Sequence, residues 1–445
     1  MRSTADLISL IVLLGLPCAV FGQKPQPKAT SQLRQMYVQE QEEKLTPTNF
    51  DLSFFPVSDR YQRHWQEILW AVTVFEPETP FVLQALDQIL LLSFAEKLSQ
   101  GQESVVQSAL QVGSQLLLHR PQTYGSLKER FRQIATSSKD PEWTAMAIAT
   151  LYKSGISRTE LYGLIRSLPQ RFPNWSQHTF LYTTVEQISY ELSRPPLPPI
   201  ADLIHWQVAP QQAHLFVFCR SDRQELCFTL LRDREGRFVQ QHGKLWSVSL
   251  LLASLHSLDW NFYRGATPQG IYRMEGIVPQ PDDAVFRAYG QFDLVKLFVP
   301  FESGVQSFLP NQKGKFNTDL KAYLQLLPPS WRNYFPIQQT YWAGRSGRSL
   351  FRIHGSGEAP DYFRRVDQRR GDWNPTLGCL SSLETYDSNG NLVQGDMPQI
   401  LQQISQAGGG KIEGYVIVVD IPEHLTPEEI SKIALSRSAN PLPPN

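Results

Sequence analysis

The sequence predicts an α+β multidomain protein in which an all-α N-terminal domain precedes a mainly β domain. Three observations carry that expectation. Between residues 59 and 192 apolar side chains recur with a helical period. The run Ser193-Arg194-Pro195-Pro196-Leu197-Pro198-Pro199 then ends the pattern, because proline lacks the amide donor and clashes with the preceding turn. Beyond it, short β-branched and aromatic runs alternate with turn residues. The chain has 445 residues, enough for two or more domains of roughly 100–200 residues each.

The first element is an export segment. Arg2 supplies a positive start and residues 7–16 an apolar stretch too short for a comfortable membrane span. Ala19-Val20-Phe21-Gly22 offers small or modest side chains to a signal peptidase, so residues 1–22 read as a signal peptide. The alternative is an anchor lipid-modified through Cys18, which Gly15 and Pro17 fit poorly. Export implies the periplasm or cell envelope, with no stable membrane span after cleavage. Residues 23–55, polar and containing Pro25, Pro27 and Pro47, read as a tether with local helix.

Residues 56–192 form the helical domain. Segments 82–91, 105–118 and 143–152 have apolar side chains at helical spacing, and Ser157-Arg158-Thr159-Glu160 has the form of a helix start. Short polar breaks between them suggest stacked helix pairs, although no repeat stands out. Residues 193–202 form a stiff proline-rich linker. In the β domain, residues 203–422, the expected strands are 215–219, 226–232, 270–275, 294–301, 350–353 and 415–419. A helix over 397–406 follows Asp396. Residues 423–445 form a last helix, opened by Thr426-Pro427-Glu428-Glu429, and a tail.

Charge excludes one broad class. With 42 basic and 42 acidic side chains there is no global field to attract nucleic acid. The histidines are scattered without metal-ligand spacing, so neither a metal nor another cofactor is expected. No Gly-x-Ser-x-Gly elbow and no glycine-rich phosphate loop opening a helix is found. After signal removal three cysteines remain. Cys219 and Cys227 flank a seven-residue stretch between two strand-like runs. They either close a cross-strand disulfide or stay as two half-buried thiols. Cys379 is left over, and an odd thiol in an exported protein is a candidate for reactivity.

Two short signals surround that thiol. Phe351-Arg352-Ile353-His354-Gly355 reads as a strand ending in His and Gly, and Asn374-Pro375-Thr376-Leu377-Gly378-Cys379-Leu380 follows about twenty-five residues later. A thiol with a pKa of about 8.5 is mostly protonated at neutral pH, so a nucleophilic cysteine needs a base or a cation nearby. An imidazole is the usual solution. Glycine beside each reactive side chain permits unusual backbone and close substrate approach.

In their order, Thr267-Pro268-Gln269-Gly270, Ile353-His354-Gly355 and Thr376-Leu377-Gly378-Cys379, then the 397–406 helix and the last strand, resemble the L,D-transpeptidase (YkuD-like) family of bacterial wall enzymes. The resemblance covers about residues 203–420 and makes the β domain the L,D-transpeptidase-like catalytic domain. It implies acyl transfer or hydrolysis on peptidoglycan stem peptides through a thioester at Cys379, with His354 as base and backbone at Gly378 and Gly355 shaping the oxyanion site. Arg352, Arg365, Thr376 and Ser381 are the candidate substrate contacts. Arg364, Arg369 and Arg370 belong to the same basic stretch, and Arg345 and Arg348 precede the first motif. The common family pattern has His where this chain has Leu377 and often Arg where it has Ser381. The chain resembles the branch without that first His. The other reading is a catalytically silent wall-binding or scaffold protein that keeps the fold. The helical domain is a candidate docking surface for a protein partner.

Overall fold

A computed structural model of the protein describes residues 31–279, 290–355, 373–389 and 391–436. The expected export segment with Cys18 lies outside the described residues, as do Arg364, Arg365, Arg369 and Arg370.

The helical region contains the helices Gln62–Phe75, Pro80–Leu91, Gln100–His119, Leu127–Ser137, Pro141–Lys153, Arg158–Arg171 and Thr179–Ser193. Their start signals are local. Ser99 and Gln102 form a reciprocal capping box, and Ser157 accepts from the Glu160 amide, as its position predicts. Leu127–Ser137 packs on its successor Pro141–Lys153, while other contacts skip along the chain. Gln100–His119 runs through the middle and touches Gln62–Phe75, Pro80–Leu91, Leu127–Ser137 and Pro141–Lys153. One continuous core results, with Trp65, Leu86, Leu110, Phe131, Met146 and Leu168 buried in it. Each such side chain contributes about 1.5–3 kcal/mol by leaving water. Phe50 is buried in the same core, so the stretch expected as a tether closes onto the helical region there.

Among the described residues no helix is long and apolar enough to cross a membrane.

The β region is built around a closed barrel of eight strands. These are β1 (Ala213–Cys219), β2 (Cys227–Arg232), β3 (Ser249–Leu251), β4 (Gly270–Val278), β5 (Leu294–Phe298), β6 (Phe351–Gly355), β7 (Leu380–Ser382) and β8 (Glu413–Asp420). Around the barrel the order is β1-β8-β4-β5-β6-β7-β3-β2. Two contacts are parallel, β1 with β8 and β6 with β7. Alternation along each strand sorts the side chains. Leu215, Val217, Tyr272, Val295, Phe351, Ile353, Leu380, Val416 and Val418 share the interior cluster, into which the helix Met397–Ala407 also packs. Phe216, Phe218, Ile271, Tyr415 and Ile417 face outward onto the helices Ile200–His205, Leu320–Leu324 and Pro427–Leu435. The last begins with the expected capping box at Thr426.

Cys219 and Cys227 form a disulfide across β1 and β2. The hairpin it closes presents Arg223 to Asp420 at 2.7 Å. The proline-rich segment 195–199 is fastened to the barrel, since Trp331 Nε1 donates to the Pro199 carbonyl at 3.0 Å.

The two regions meet through the loop 253–267, between β3 and β4. Its Leu258 and Phe262 are buried in the helical core. His256 Nδ1 bonds Gln115 Oε1 at 2.9 Å, and Asn261 Nδ2 donates to the hydroxyls of Thr183 and Thr184 at 2.9 and 3.0 Å. Asp259 pairs with Lys153. The helical region therefore grips a loop that belongs to the barrel.

Candidate active site

Register brings the two sequence motifs together. β6 and β7 are parallel neighbours, pairing Ile353 with Leu380, His354 with Ser381 and Gly355 with Ser382. Ile353 and Leu380 point into the barrel. By alternation Arg352, His354 and Ser381 take the outer face. Cys379 lies in the bend just before β7, so the pairing puts His354 opposite Ser381, two residues beyond the thiol.

His354 is almost fully buried. Its Nδ1 lies 2.7 Å from the Gly355 carbonyl. A carbonyl only accepts, so Nδ1 carries the proton of this hydrogen bond. Gly355 supplies that acceptor, and it has to be glycine for a second reason: a Cβ there would collide with the Glu384 carboxylate. Glu384 is itself fully buried, accepting from the Gln291 amide at 2.6 Å and from the Tyr386 hydroxyl. Burial pushes its carboxyl up to about 7.

Cys379 is half-buried and is the free cysteine among the described residues. Its Sγ lies 3.8 Å from the Leu350 carbonyl. Burial pushes the thiol up, opposed by the Arg352 amide that donates to it, by the Arg352 and Arg348 guanidiniums, and reinforced by Glu302. The resting residue is therefore a thiol at neutral pH rather than a preformed thiolate. Leu350 is exposed beside it with φ +64°, a left-handed conformation costly for leucine. Its amide donates to Glu302 Oε1 at 2.9 Å.

The loop before Cys379 is held from several sides. Thr376 N donates to the Ala253 carbonyl at 3.0 Å, and Leu255 N to the Thr376 carbonyl at 2.8 Å. The Thr376 hydroxyl accepts from Gly378 N at 3.1 Å and donates to the Cys379 carbonyl at 2.8 Å. Thr267 Oγ1 donates to the Gly378 carbonyl at 2.9 Å. Gly378 has φ +117°, and a Cβ there would strike Arg348 Nη2 and come within 2.8 Å of the Gly265 carbonyl. Only glycine fits.

These contacts revise several residue roles. Thr376 was expected at the substrate, but its hydroxyl is committed inside the loop. Ser381 is wholly buried and offers no surface to a ligand. The Gly378 amide, expected near the oxyanion, is already bound to Thr376. Arg352 is half-buried, its Nη1 donating to the Phe351 carbonyl at 2.6 Å while its amide meets the thiol. Arg365 lies outside the described residues. Thr267-Pro268-Gln269-Gly270 is tied down by its own contacts. Gln269 exchanges two hydrogen bonds with Asp420, each 2.9 Å, and Gly270 at φ +131° has no room for a side chain against the Ile337 carbonyl and the Tyr323 hydroxyl.

Two participants escaped the sequence reading. Glu302 joins the site through the amide of Leu350, 48 positions away, while its other oxygen accepts from nearby Val299, and no motif announces this. Arg348, which the sequence places only as preceding the first motif, is buried behind Gly378. A separate cleft of about 1220 Å³ lies between the helical region and the barrel, lined by Tyr152, Glu191, Arg223, Trp260, Thr267 and Asp420 among others; Cys379 does not line it. Comparison of the chain with family models, with curated proteins and with solved structures returns no match.

Proposed function

We propose that the protein is an exported cysteine enzyme of the cell wall, performing acyl transfer or hydrolysis on peptidoglycan stem peptides in the manner of an L,D-transpeptidase. The observation that carries the reading is the pairing of β6 with β7. It puts His354 opposite Ser381, two residues beyond Cys379, and the bond from Nδ1 to the Gly355 carbonyl favours Nε2 as the basic atom, which supports a His–Cys pair. The motif order seen in the sequence supplies the substrate class.

In the proposed reaction the Cys379 sulfur attacks the carbonyl that follows the L-centre of a stem peptide. His354 Nε2 takes the thiol proton and passes it to the leaving amine as the C–N bond breaks. The raised thiol makes this concerted base assistance necessary. With the Gly378 amide occupied, the Cys379 amide is the nearer donor for the oxyanion, and losing such a donor costs about 3–4 kcal/mol. An acceptor amine then resolves the thioester for transfer, or water for hydrolysis.

Incubating isolated stem peptides with the full chain and with Cys379→Ala, and comparing muropeptides by mass spectrometry, tests the proposal. New cross-links or trimmed stems from the wild type and none from the variant are expected. Equal products from both would remove Cys379 from the chemistry. A second reading, a silent wall-binding scaffold, draws on the protonated resting thiol and on Leu377. It expects muropeptide binding without products.

A further inference from the structure

Arg348 sits between β6 and the loop 253–267. It is buried, about 5% exposed. Its Nη1 donates to the Ala266 carbonyl at 2.7 Å and to the Trp260 carbonyl, and its Nη2 donates to the Gly265 carbonyl at 3.0 Å. The guanidinium stacks 4.8 Å from the centre of the Phe351 ring. Its hydrogen-bond acceptors among the described residues are carbonyls, and none is a carboxylate. A buried cation satisfied only by neutral carbonyls is expensive to keep, because nothing repays the lost hydration of the charge. A structural clamp of the same shape could be made with a neutral amide. The charge therefore calls for an explanation beyond holding the loop.

The neighbouring ionisable groups supply one. The guanidinium lies directly against Gly378, the residue before Cys379. Of the groups that feel its charge, Tyr272, Cys379 and Tyr263 can become anions near it; Tyr263 is exposed to solvent, and Tyr272 is fully buried with its hydroxyl donating to the Pro268 carbonyl at 2.6 Å. Around the thiol the other charged or titratable groups are Arg352 and Glu302 on the segments beside it and His354 on β6. Arg352 is half exposed to solvent and Glu302 opposes ionisation. Among the described residues around the thiol, Arg348 alone is both cationic and shielded from water.

We propose that Arg348 is the positioning cation of Cys379, fixing the backbone behind Gly378 and holding an uncompensated positive charge where the thiolate forms. This rests on Cys379 being the reacting thiol, and it concerns ionisation rather than the identity of the substrate.

The test is the pH dependence of Cys379 alkylation by iodoacetamide, mapped by peptide mass spectrometry in the full chain. Wild type, Arg348→Lys and Arg348→Met are compared, each with its melting temperature. In Arg348→Met the midpoint moves up, slowing alkylation ~10-fold at pH 8, about one unit of thiol ionisation. Arg348→Lys keeps the charge and recovers most of the rate, although both variants melt earlier. Equal midpoints in all three proteins, with melting alone changed, overturn the proposal. A measurement on the wild type guards against misfolded variants. A shielded charge is little screened by salt, so the midpoint stays fixed between 50 mM and 1 M KCl. A midpoint that climbs with salt assigns the effect to exposed cations such as Arg352 and overturns the proposal. Shifted midpoints in a protein that turns over no stem peptide support this inference while removing the wall-enzyme reading.

Discussion

Where the helical region meets the barrel loop, buried polar side chains end on other side chains. Gln115 reaches Glu76 and His256, Asn261 reaches Thr183 and Thr184, and Ser114 reaches Thr150. His256 is fully buried, and desolvation pushes it down to about 3, so it is neutral at any physiological pH. Around Cys379 the pattern is different. Arg348 hydrogen-bonds to carbonyls and stacks on Phe351 without meeting a carboxylate among the described residues, and Glu384 keeps one oxygen without a partner among them. The first arrangement pairs most of its polar groups side chain to side chain, with His256 Nε2 left without a partner among the described residues, and so fixes how two layers dock. The second leaves charges under-compensated, which is costly for folding and is the arrangement expected where charge must appear during a reaction.

The largest effect that tests this contrast comes from Glu384. Its folded carboxyl, at about 7, lies above the value of an unfolded glutamate. Folding therefore favours the protonated form. The stabilisation is complete below the unfolded pKa of about 4.3 and is lost as pH rises through 7. Wild-type stability should fall by on the order of 3 kcal/mol between pH 4.5 and 8 on this account, and Glu384→Gln should flatten the profile. Urea titrations across that range check it. A variant as pH-sensitive as wild type would move the carboxylate into the balanced class.

A smaller loss is expected on the helical side. Asn261→Ala removes an amide that serves two buried hydroxyls, costing about 2 kcal/mol in a denaturation midpoint. Because the pair is neutral, the pH midpoint of Cys379 alkylation should not follow. If it moved as far as in Arg348→Met, the two regions would not be electrostatically separate.

Much of this architecture is legible from local chemistry. Ser157, Thr426 and the β-branched runs declare their helices and strands because caps and alternation act over a few residues. Cys219 and Cys227 pair because a tight hairpin puts them opposite each other. Strands β3 and β7 have three residues each and leave no periodic trace. The loop 253–267 was read as nothing in particular, since its partners at Gln115, Thr183 and Arg348 lie about 80–140 positions away and no local pattern encodes them. The same limit misled the assignment of Thr376 and Ser381. Motif spacing places a residue beside the thiol but does not say which face of the strand is covered, and both are buried.

Thr267 is where the two kinds of interior touch. It closes the loop gripped by the helices, and its hydroxyl holds the Gly378 carbonyl behind the thiol. Thr267→Val keeps the shape and deletes that donor, leaving a buried carbonyl with one bond fewer, so a stability loss of about 1 kcal/mol is expected. The hydroxyl carries no charge. Alkylation of Cys379 should therefore slow or quicken by the same factor at every pH, with its midpoint in place, whereas Arg348→Met moves the midpoint. Two neighbours of Gly378 would then separate geometry from electrostatics at one sulfur. A midpoint displaced by Thr267→Val would mean that the loop's position, and not the buried guanidinium, sets the ionisation of the thiol.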